Sequence, residues 1–417
     1  MVTDKTRIIS LYIVAMLFSG VCYFLQVLPM NSTSHFEKIL SLSPSQTVTL
    51  TSLFLIAYAF MQIPIGILVD RFGIKLVVSI SLSITILGSI LYAVGTTILI
   101  VAIGRTLTGL GCAVAYLSGI FIAAKYLPLK RLPIFIGLVE AVSVWSVIIG
   151  THVFKKIHTH YGWYMANFAI IIFCLILLIL FLFLSRKIEH TPKKVHSNTR
   201  NLIKQAFSLL SNKTILAIFI YSFCTWLVFM SFAGYWIKLY MLHMYNYSEH
   251  DIKPLSGLYW GTFLIANILV GFCINTPKWT KITLMVLSVT GFLDFLYIAS
   301  AHSLSNLGFV ITITLAGISA SGIVVAFAII TKIVSTELSG TALSINNTFA
   351  ILGGYTGQVL FGYIVKQDYL PWVNGFMHKH IINVHYFSAF IIYPFFAFIG
   401  VITAVFIIQK PIRTAPP

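Results

Sequence analysis

The residues best placed for chemistry are charges that stand inside long apolar stretches. Glu140 lies in GLVEAVSVWSVIIG, and Arg105 lies in VAIGRTLTGLG. An ionised side chain deep in a membrane is costly unless it is paired or hydrated, so each of these charges indicates a functional site. We predict that the two side chains approach each other, and that protonation of Glu140 or arrival of an anionic substrate changes the partner of Arg105. A static pair that holds two helices together is the alternative.

Other polar side chains in apolar stretches are candidates of a second kind. Asp294, in VTGFLDFLYIAS, is a further embedded acid. Aromatic walls that carry a few polar groups suit small ligands, so several side chains are candidates for lining a cavity, with ordinary packing as the alternative for each. These candidates are Tyr23, Gln26, Tyr58, Gln62, Tyr116, Trp145, Trp226, Tyr235, Asn267, Asn346, Asn347 and Tyr355.

Three histidines stand close together in the segment HVFKKIHTHYGW, which we interpret as an outer loop. His152, His158 and His160 accompany Lys155 and Lys156, a pattern that would suit pH sensing or metal binding. Because no Cys, Asp or Glu stands nearby, we predict no metal site. The sequence also lacks a GxxxxGK[ST] phosphate loop and a nucleophile elbow, so we predict no catalytic residues, no cofactor and no enzyme activity.

The composition defines the elements that must hold these residues. Of the 417 residues, 59% are hydrophobic and 9% are charged, whereas a soluble domain carries about 25% charge. This excludes soluble enzymes, disordered regulators and secreted disulfide scaffolds. The formal charge of +17 comes from Lys and Arg in short loops between apolar runs, which argues against nucleic acid as a partner.

Apolar windows of about 20 residues, the length of a membrane-spanning helix, occur twelve times. They lie at 8–30, 46–69, 76–95, 98–123, 131–152, 163–184, 214–241, 254–274, 282–300, 305–331, 339–365 and 382–409. Lys and Arg favour the loops on one side by about three to one, which predicts that both termini are cytoplasmic. A basic stretch, 185–213, separates residues 1–184 from residues 214–417, so we predict two six-helix halves joined by a cytoplasmic linker. The later linker, NLIKQAFSLLS, fits either a surface amphipathic helix or a flexible connection.

One short loop carries a recognisable motif. The segment GILVDRFGIKLVV contains Gly66, Asp70, Arg71, Gly73 and Lys75 between spans 2 and 3. It resembles the signature of the major facilitator superfamily, and the resemblance covers essentially the whole chain. The resemblance implies an all-α fold of twelve helices in two bundles related by a pseudo-two-fold axis, and a latch at this loop. The alternative without a functional role is a tight turn with cytoplasmic positive charges.

Other fragments fit the same family pattern. RTLTGLG in span 4 and the glycine-rich span 11 resemble the family, and HYGWYMANF has Tyr164 where Arg is common. GFCINTPKWTK in the second half is a degraded copy of the first motif, with Asn275 at the position of Asp70. A latch in the second half should therefore be weaker. Family architecture places span 9 away from the central cavity, so a direct role for Asp294 is disfavoured.

The resemblance implies a secondary transporter that works by alternating access. Drug antiporters of the family carry a Gly-Pro motif in span 5, and the corresponding stretch here, GLVEAVSVWSVIIG, has no Pro, which favours uptake. Arg105 and the cationic loops favour an anionic or zwitterionic nutrient, such as an amino acid, short peptide or organic acid, with proton coupling. We expect a monomer in a bacterial inner membrane. The alternatives are efflux or antiport of a small molecule, and a transport-inactive receptor or assembly partner on the same fold.

Overall fold

The computed structural model describes residues 4–28, 44–187, 207–232, 241, 247–300, 304–335, 338–367 and 390–409. Within these ranges every regular element is a helix, and no strand occurs. Eight of the described helices are long and apolar enough to cross a membrane, and two shorter apolar helices accompany them. The all-α class is confirmed, whereas the number of twelve spans and the cytoplasmic termini remain predictions.

The chain divides into two compact units. The first unit contains Met1–Ala206 and Val334–Ile345, and the second contains Phe207–Ile333 and Asn346–Pro417. The helices up to the linker are α1 Asp4–Val27, α2 Pro44–Phe72, α3 Ile74–Val94, α4 Ile98–Cys112, α5 Ala115–Tyr126 and α6 Leu132–Leu184. Those after it are α7 Lys213–Ser231, α8 Glu249–Cys273, α9 Pro277–Ser300, α10 Asn306–Ala320, α11 Gly322–Ile333, α12 Ser339–Gln367 and α13 Ile392–Gln409.

Side-chain caps mark where several helices begin. Thr97 accepts a hydrogen bond from the Ile100 amide before α4, and Ser305 accepts one from the Gly308 amide before α10. Asn212 accepts from two amides at the start of α7. Each cap satisfies an amide that has no partner inside its own helix.

Two predicted spans are broken helices. Span 4 consists of α4 and α5, which meet at Ala113, and span 10 consists of α10 and α11, which meet at Ser321. At both breaks the backbone tightens to a bond three residues back, from Ala113 to Leu110 and from Ser321 to Ile318. The breaks therefore occupy corresponding spans in the two halves of the sequence.

Spans 5 and 6 are two helices that meet at Gly162 within the element α6, and the helix of span 5 continues through the predicted outer loop. The segment 153–161 is helical, and the chain changes direction at Gly162, which has φ 82°. Only glycine adopts that backbone angle without strain, so one residue makes the turn. Part of the linker is also helical, at 207–211, whereas residues 188–206 lie outside the described ranges.

Small residues allow close helix contacts within the first unit. A Cβ atom on Gly88 of α3 would lie 2.8 Å from the Gly104 carbonyl oxygen of α4, so neither helix tolerates a larger residue there. The buried hydroxyl groups of Ser19 and Ser143 join α1 to α6 at 2.7 Å. These contacts fix the helices that carry Glu140 and Arg105.

Candidate functional site

The motif carboxylate caps the start of α12. Asp70, at the end of α2, accepts hydrogen bonds from the Gly340 amide at 2.9 Å and from the Thr341 amide at 2.8 Å. The Thr341 hydroxyl donates a third bond at 2.7 Å. The first amides of a helix lack internal partners and carry a partial positive charge, so a carboxylate is well satisfied there. Asp70 is therefore satisfied by the start of α12.

Two motif glycines make this cap possible. Gly66 lies one turn before Asp70, and a Cβ atom there would lie 2.7 Å from the Gly340 carbonyl oxygen. Gly73 has φ 80° and forms the turn between α2 and α3. Both glycines therefore help to place Asp70 at the start of α12, Gly66 by allowing close contact and Gly73 by its backbone angle.

The motif cations lie outside the cap. Arg71 is exposed, with its guanidinium 4.9 Å from the centre of the Phe72 ring, and Lys75 is half-buried in the first turn of α3. Thr341, the partner of Asp70 on α12, was not among the predicted site residues. The available signal was a Gly-Thr pair at the predicted start of span 11.

The corresponding loop of the second half has a different arrangement. Asn275 is exposed, and its side-chain amide donates to the Phe272 carbonyl oxygen of its own helix. Thr276 caps the following helix by accepting from the Trp279 amide at 3.3 Å. This loop has a local cap, whereas Asp70 makes contacts about 270 residues away in sequence.

Glu140 is fully buried in α6, with 1% of its surface exposed. The Tyr23 hydroxyl of α1 donates to its carboxylate at 3.4 Å, and the Tyr116 hydroxyl of α5 interacts with the same group. The two tyrosine rings lie 6.4 Å apart, and Tyr58 of α2 contributes to the same cluster electrostatically. Two predicted cavity residues thus interact with one acid and a third interacts with those two, an arrangement that no local sequence signal indicated.

Arg105 is also buried, with 2% of its surface exposed. Its Nη1 donates to the Leu25 carbonyl oxygen of α1 at 2.9 Å. The guanidinium lies 4.8 Å from the centre of the Phe54 ring and 5.4 Å from that of Tyr92. Nε and Nη2 are buried and have no hydrogen-bond partner within the described ranges.

The predicted contact between Glu140 and Arg105 is not formed in this conformation. No hydrogen bond or ion pair joins them among the residues that the structure describes. Each charge has other neighbours instead. Tyrosine hydroxyls interact with the Glu140 carboxylate, whereas a carbonyl oxygen and two aromatic rings contact the Arg105 guanidinium. Phe54 and Tyr92, which hold Arg105, were not among the predicted site residues.

The other candidates of the first unit have different surroundings. Gln62 is fully buried and donates to the Ala113 carbonyl oxygen at 3.0 Å, so it connects α2 to the break in span 4. Tyr58 stacks on Phe54 at 6.0 Å. Gln26 is half-buried, and Trp145 is 51% exposed.

The candidates of the second unit do not gather around one group. Trp226 is buried against Phe229, with ring centres 4.9 Å apart. Asn346 accepts from the Ser222 hydroxyl at 2.8 Å, and both polar atoms of buried Asn267 lack a partner in the described part of the chain. The remaining three are Asn347, which is buried, Tyr355, which is exposed, and Tyr235, which lies outside the described residues.

The histidine cluster lies on the last turns of α6 before Gly162. His152 and His160 are exposed, whereas His158 packs against Phe154 at 5.8 Å and Trp163 at 6.1 Å. Within the described ranges, no group of three His, Cys, Asp or Glu side chains is arranged to hold a metal ion.

Comparisons with known proteins identify the class. Residues 8–357 match the sequence profile of the Major Facilitator Superfamily, so the chain belongs to this family. It is a multi-pass membrane transporter that moves a small molecule, and not an enzyme.

The relatives support the same class without naming a substrate. An "Uncharacterized transporter" of Buchnera aphidicola subsp. Baizongia pistaciae (strain Bp) is 22% identical over 347 residues, which cover 80% of this chain and 83% of the relative. A bacterial homologue of the iron transporter ferroportin, solved in an outward-facing state, is similar with a TM-score of 0.77 and 13% identity, and the match covers 97% and 100% of the two chains. The proton:xylose symporter XylE has a TM-score of 0.67 and 16% identity, with coverage of 99% and 98%. At such identities the solved structures demonstrate the fold alone.

Proposed function

We propose that this protein takes up a small anionic or zwitterionic nutrient together with protons across a bacterial inner membrane. One observation carries the proposal. Glu140 and Arg105 are both buried in the first unit, and neither has an oppositely charged partner among the described residues. Buried charges in membrane proteins are normally paired, so each of these groups has capacity for a partner that comes and goes.

Arg105 supplies the site for a negative charge. Its guanidinium is held by one carbonyl oxygen and two aromatic rings, which leaves Nε and Nη2 without partners in the described ranges. These two adjacent donors form the planar fork that binds a carboxylate through two parallel hydrogen bonds. Amino acids, short peptides and organic acids all carry such a group.

Glu140 supplies the site for a proton. Its partners are tyrosine hydroxyls, which can donate to the carboxylate or accept from the protonated acid. The same hydroxyls therefore stay bonded to Glu140 in both protonation states. A site of this kind gains and loses a proton without an obligatory rearrangement of its neighbours.

Asp70 supplies the latch for alternating access. Three hydrogen bonds hold its carboxylate on the start of α12, and such charge-assisted bonds each contribute about 1.5–3 kcal/mol. We assign this cap to the outward-facing state, so it must break when the transporter opens to the cytoplasm. Formation and loss of a helix cap is a discrete event, which suits a two-state switch.

A substrate panel in proteoliposomes tests the proposal. The full-length protein is reconstituted, and uptake of labelled amino acids, dipeptides, organic acids and neutral sugars is measured with and without an inwardly directed proton gradient. We expect accumulation of at least one carboxylate above equilibrium only with the gradient. Accumulation of neutral sugars alone, or export of the panel compounds, would contradict the proposal, and uptake of none of them would favour the transport-inactive receptor.

A further inference from the structure

The C-terminal end of α6 carries two arginines that the proposed transport mechanism does not use. Arg7 of α1 donates from Nε to the Leu184 carbonyl oxygen at 2.6 Å and from Nη2 to the Phe183 carbonyl oxygen at 3.0 Å. Arg186, which is exposed just past the end of α6, has its guanidinium 5.8 Å from the centre of the Phe183 ring. Two guanidinium groups from opposite ends of the first unit's sequence therefore meet at one aromatic residue.

The charge at this end is positive. Residues 4–7 and 183–187 together contain four Lys or Arg and one Asp. Neither Arg7 nor Arg186 contacts a carboxylate among the side chains that the structure describes. Arg7 also offsets the partial negative charge of the α6 C-terminus, and it does so with two of its five N–H donors. Both guanidinium groups therefore keep donors for an anion.

The two arginines lie at the depth of the lipid head groups. The helix from Trp163 to Leu184 has 22 residues, so at 1.5 Å per residue it is about 33 Å long. That length is just enough to cross the ~30 Å hydrocarbon core of a membrane. The cationic loops predict that this end faces the cytoplasm.

An exposed apolar stripe leads from the arginines into the membrane. Phe183 is 60% exposed, and the exposed residues Ile179, Ile176 and Ile172 precede it at spacings of four, three and four residues. Such spacing places all four side chains on one face of the helix. From Phe183 to Ile172 the stripe is about 16 Å long, which matches one half of the hydrocarbon core. A ligand that fits both parts has an anionic group attached to an acyl chain.

We propose that Arg7, Arg186 and this stripe form a binding site for an anionic phospholipid of the cytoplasmic leaflet. The planar donors of the two arginines bind the phosphate, and an acyl chain covers Phe183 and the three isoleucines. Cations beside a membrane-spanning helix attract anionic head groups in the same way. The site lies within the first unit and shares no residue with the proposed transport site.

Thermal unfolding of the purified full-length protein in detergent tests the site. Unfolding temperatures are measured with increasing dioleoyl phosphatidylglycerol, dioleoyl phosphatidylcholine or sodium phosphate at equal ionic strength. A ligand that binds only the folded state stabilises it saturably, and we expect a gain of roughly 3 °C with phosphatidylglycerol. Phosphatidylcholine carries an ammonium group that offsets its phosphate, and inorganic phosphate lacks an acyl chain. Each of these two should give a gain of about 1 °C or less.

Three variants locate the effect. Arg186→Gln removes one charged contact, so it should require about tenfold more phosphatidylglycerol for half of the gain. Arg7→Gln should weaken binding equally, but it also removes two bonds to the end of α6. Arg186→Gln decides the question if Arg7→Gln fails to fold. Arg131→Gln removes an exposed arginine just before α6, on the same predicted side of the membrane, and it should respond like the wild type.

Four results would overturn the proposal. The absence of a gain with phosphatidylglycerol would exclude the site, and equal gains with the two lipids would show that the anionic head group is not recognised. An equal gain with inorganic phosphate would make a free anion the ligand. If Arg186→Gln responds to phosphatidylglycerol like the wild type, the lipid binds elsewhere. Because the measurement reports binding and not transport, each of these failures leaves the proposed uptake function intact.

Discussion

Asp70 and Arg105 differ in how the protein satisfies their charge. Three donors of the α12 start surround the Asp70 carboxylate, whereas Arg105 keeps two guanidinium nitrogens without partners in the described part of the chain. Both residues could be predicted, because an acid in a family motif and a cation in an apolar run can be recognised from the order of residues alone. It could not predict their partners. Thr341 and Phe54 are distant in sequence, and only packing brings them to these charges.

Replacement of Asp70 tests the cap. In Asp70→Asn the side chain keeps one acceptor oxygen but presents an amide where a carboxylate oxygen stood, so at least one α12 donor loses its partner. Loss of one such bond costs about 1.5–3 kcal/mol, and we expect initial uptake of the panel's best carboxylate to fall by about tenfold or more. Asn275→Ala, at the corresponding exposed position of the second half, is the control. Normal uptake by Asp70→Asn, or an equal defect in the control, would refute the latch.

Arg105→Lys separates recognition from charge. A lysine ammonium keeps the positive charge but lacks the planar fork and the stacking between two rings. We expect KM for the carboxylate to rise by about tenfold, the cost of one bidentate charged contact, with a smaller change in the maximal rate. Concentration-dependent uptake measures this. Arg186→Lys changes an exposed arginine that also lies over an aromatic ring, and it should behave like the wild type. An unchanged KM in Arg105→Lys would assign Arg105 to packing alone.

At the level of helices, apolar windows predicted where membrane segments lie but not how they are shaped. The windows at 98–123 and 305–331 each contain a break, and the supposed loop 153–161 is helical. Hydropathy reports the solvent around a segment, whereas a break depends on local backbone hydrogen bonds such as that from Ala113 to Leu110. The chain turns at the single residue Gly162, so no separate loop is needed between the two spans. The stretch before Gly162 is polar and rich in histidine, and its polarity led to the wrong prediction of a loop.

The close approach of α2 to the start of α12 gives a prediction at this scale. Gly66→Ala places a methyl group 2.7 Å from the Gly340 carbonyl oxygen, so the two elements must move apart. Overpacking of this kind costs about 1–3 kcal/mol, and we expect a lower unfolding temperature in detergent. Gly257→Ala is the matched control, because nothing lies within 4 Å of the added atom. Equal stability of the two variants would contradict the close contact.

For the whole molecule, composition alone predicted a membrane protein, and the motif loop indicated the family that the match over residues 8–357 then showed. A chain with 59% hydrophobic residues and 9% charge leaves few acids for function. Family membership then assigns the helices to a transporter. Transporters with different cargo share this fold, so the cargo depends on the residues of the site. The cargo proposed for this protein follows from an acid among tyrosines and, in the same unit, a guanidinium that has two nitrogens without partners among the described residues.

Proton-driven accumulation by Glu140→Gln tests this account most directly. Glutamine keeps the size and hydrogen bonds of the protonated acid but cannot release a proton, so exchange of substrate should continue while its coupling to protons is lost. In proteoliposomes with an inward proton gradient, we predict that the variant equilibrates the carboxylate without accumulating it, and that its counterflow stays near the wild-type rate. Tyr116→Phe is the companion variant, which removes one partner of Glu140 and should retain accumulation at a reduced rate. Full proton-driven accumulation by Glu140→Gln would contradict the account.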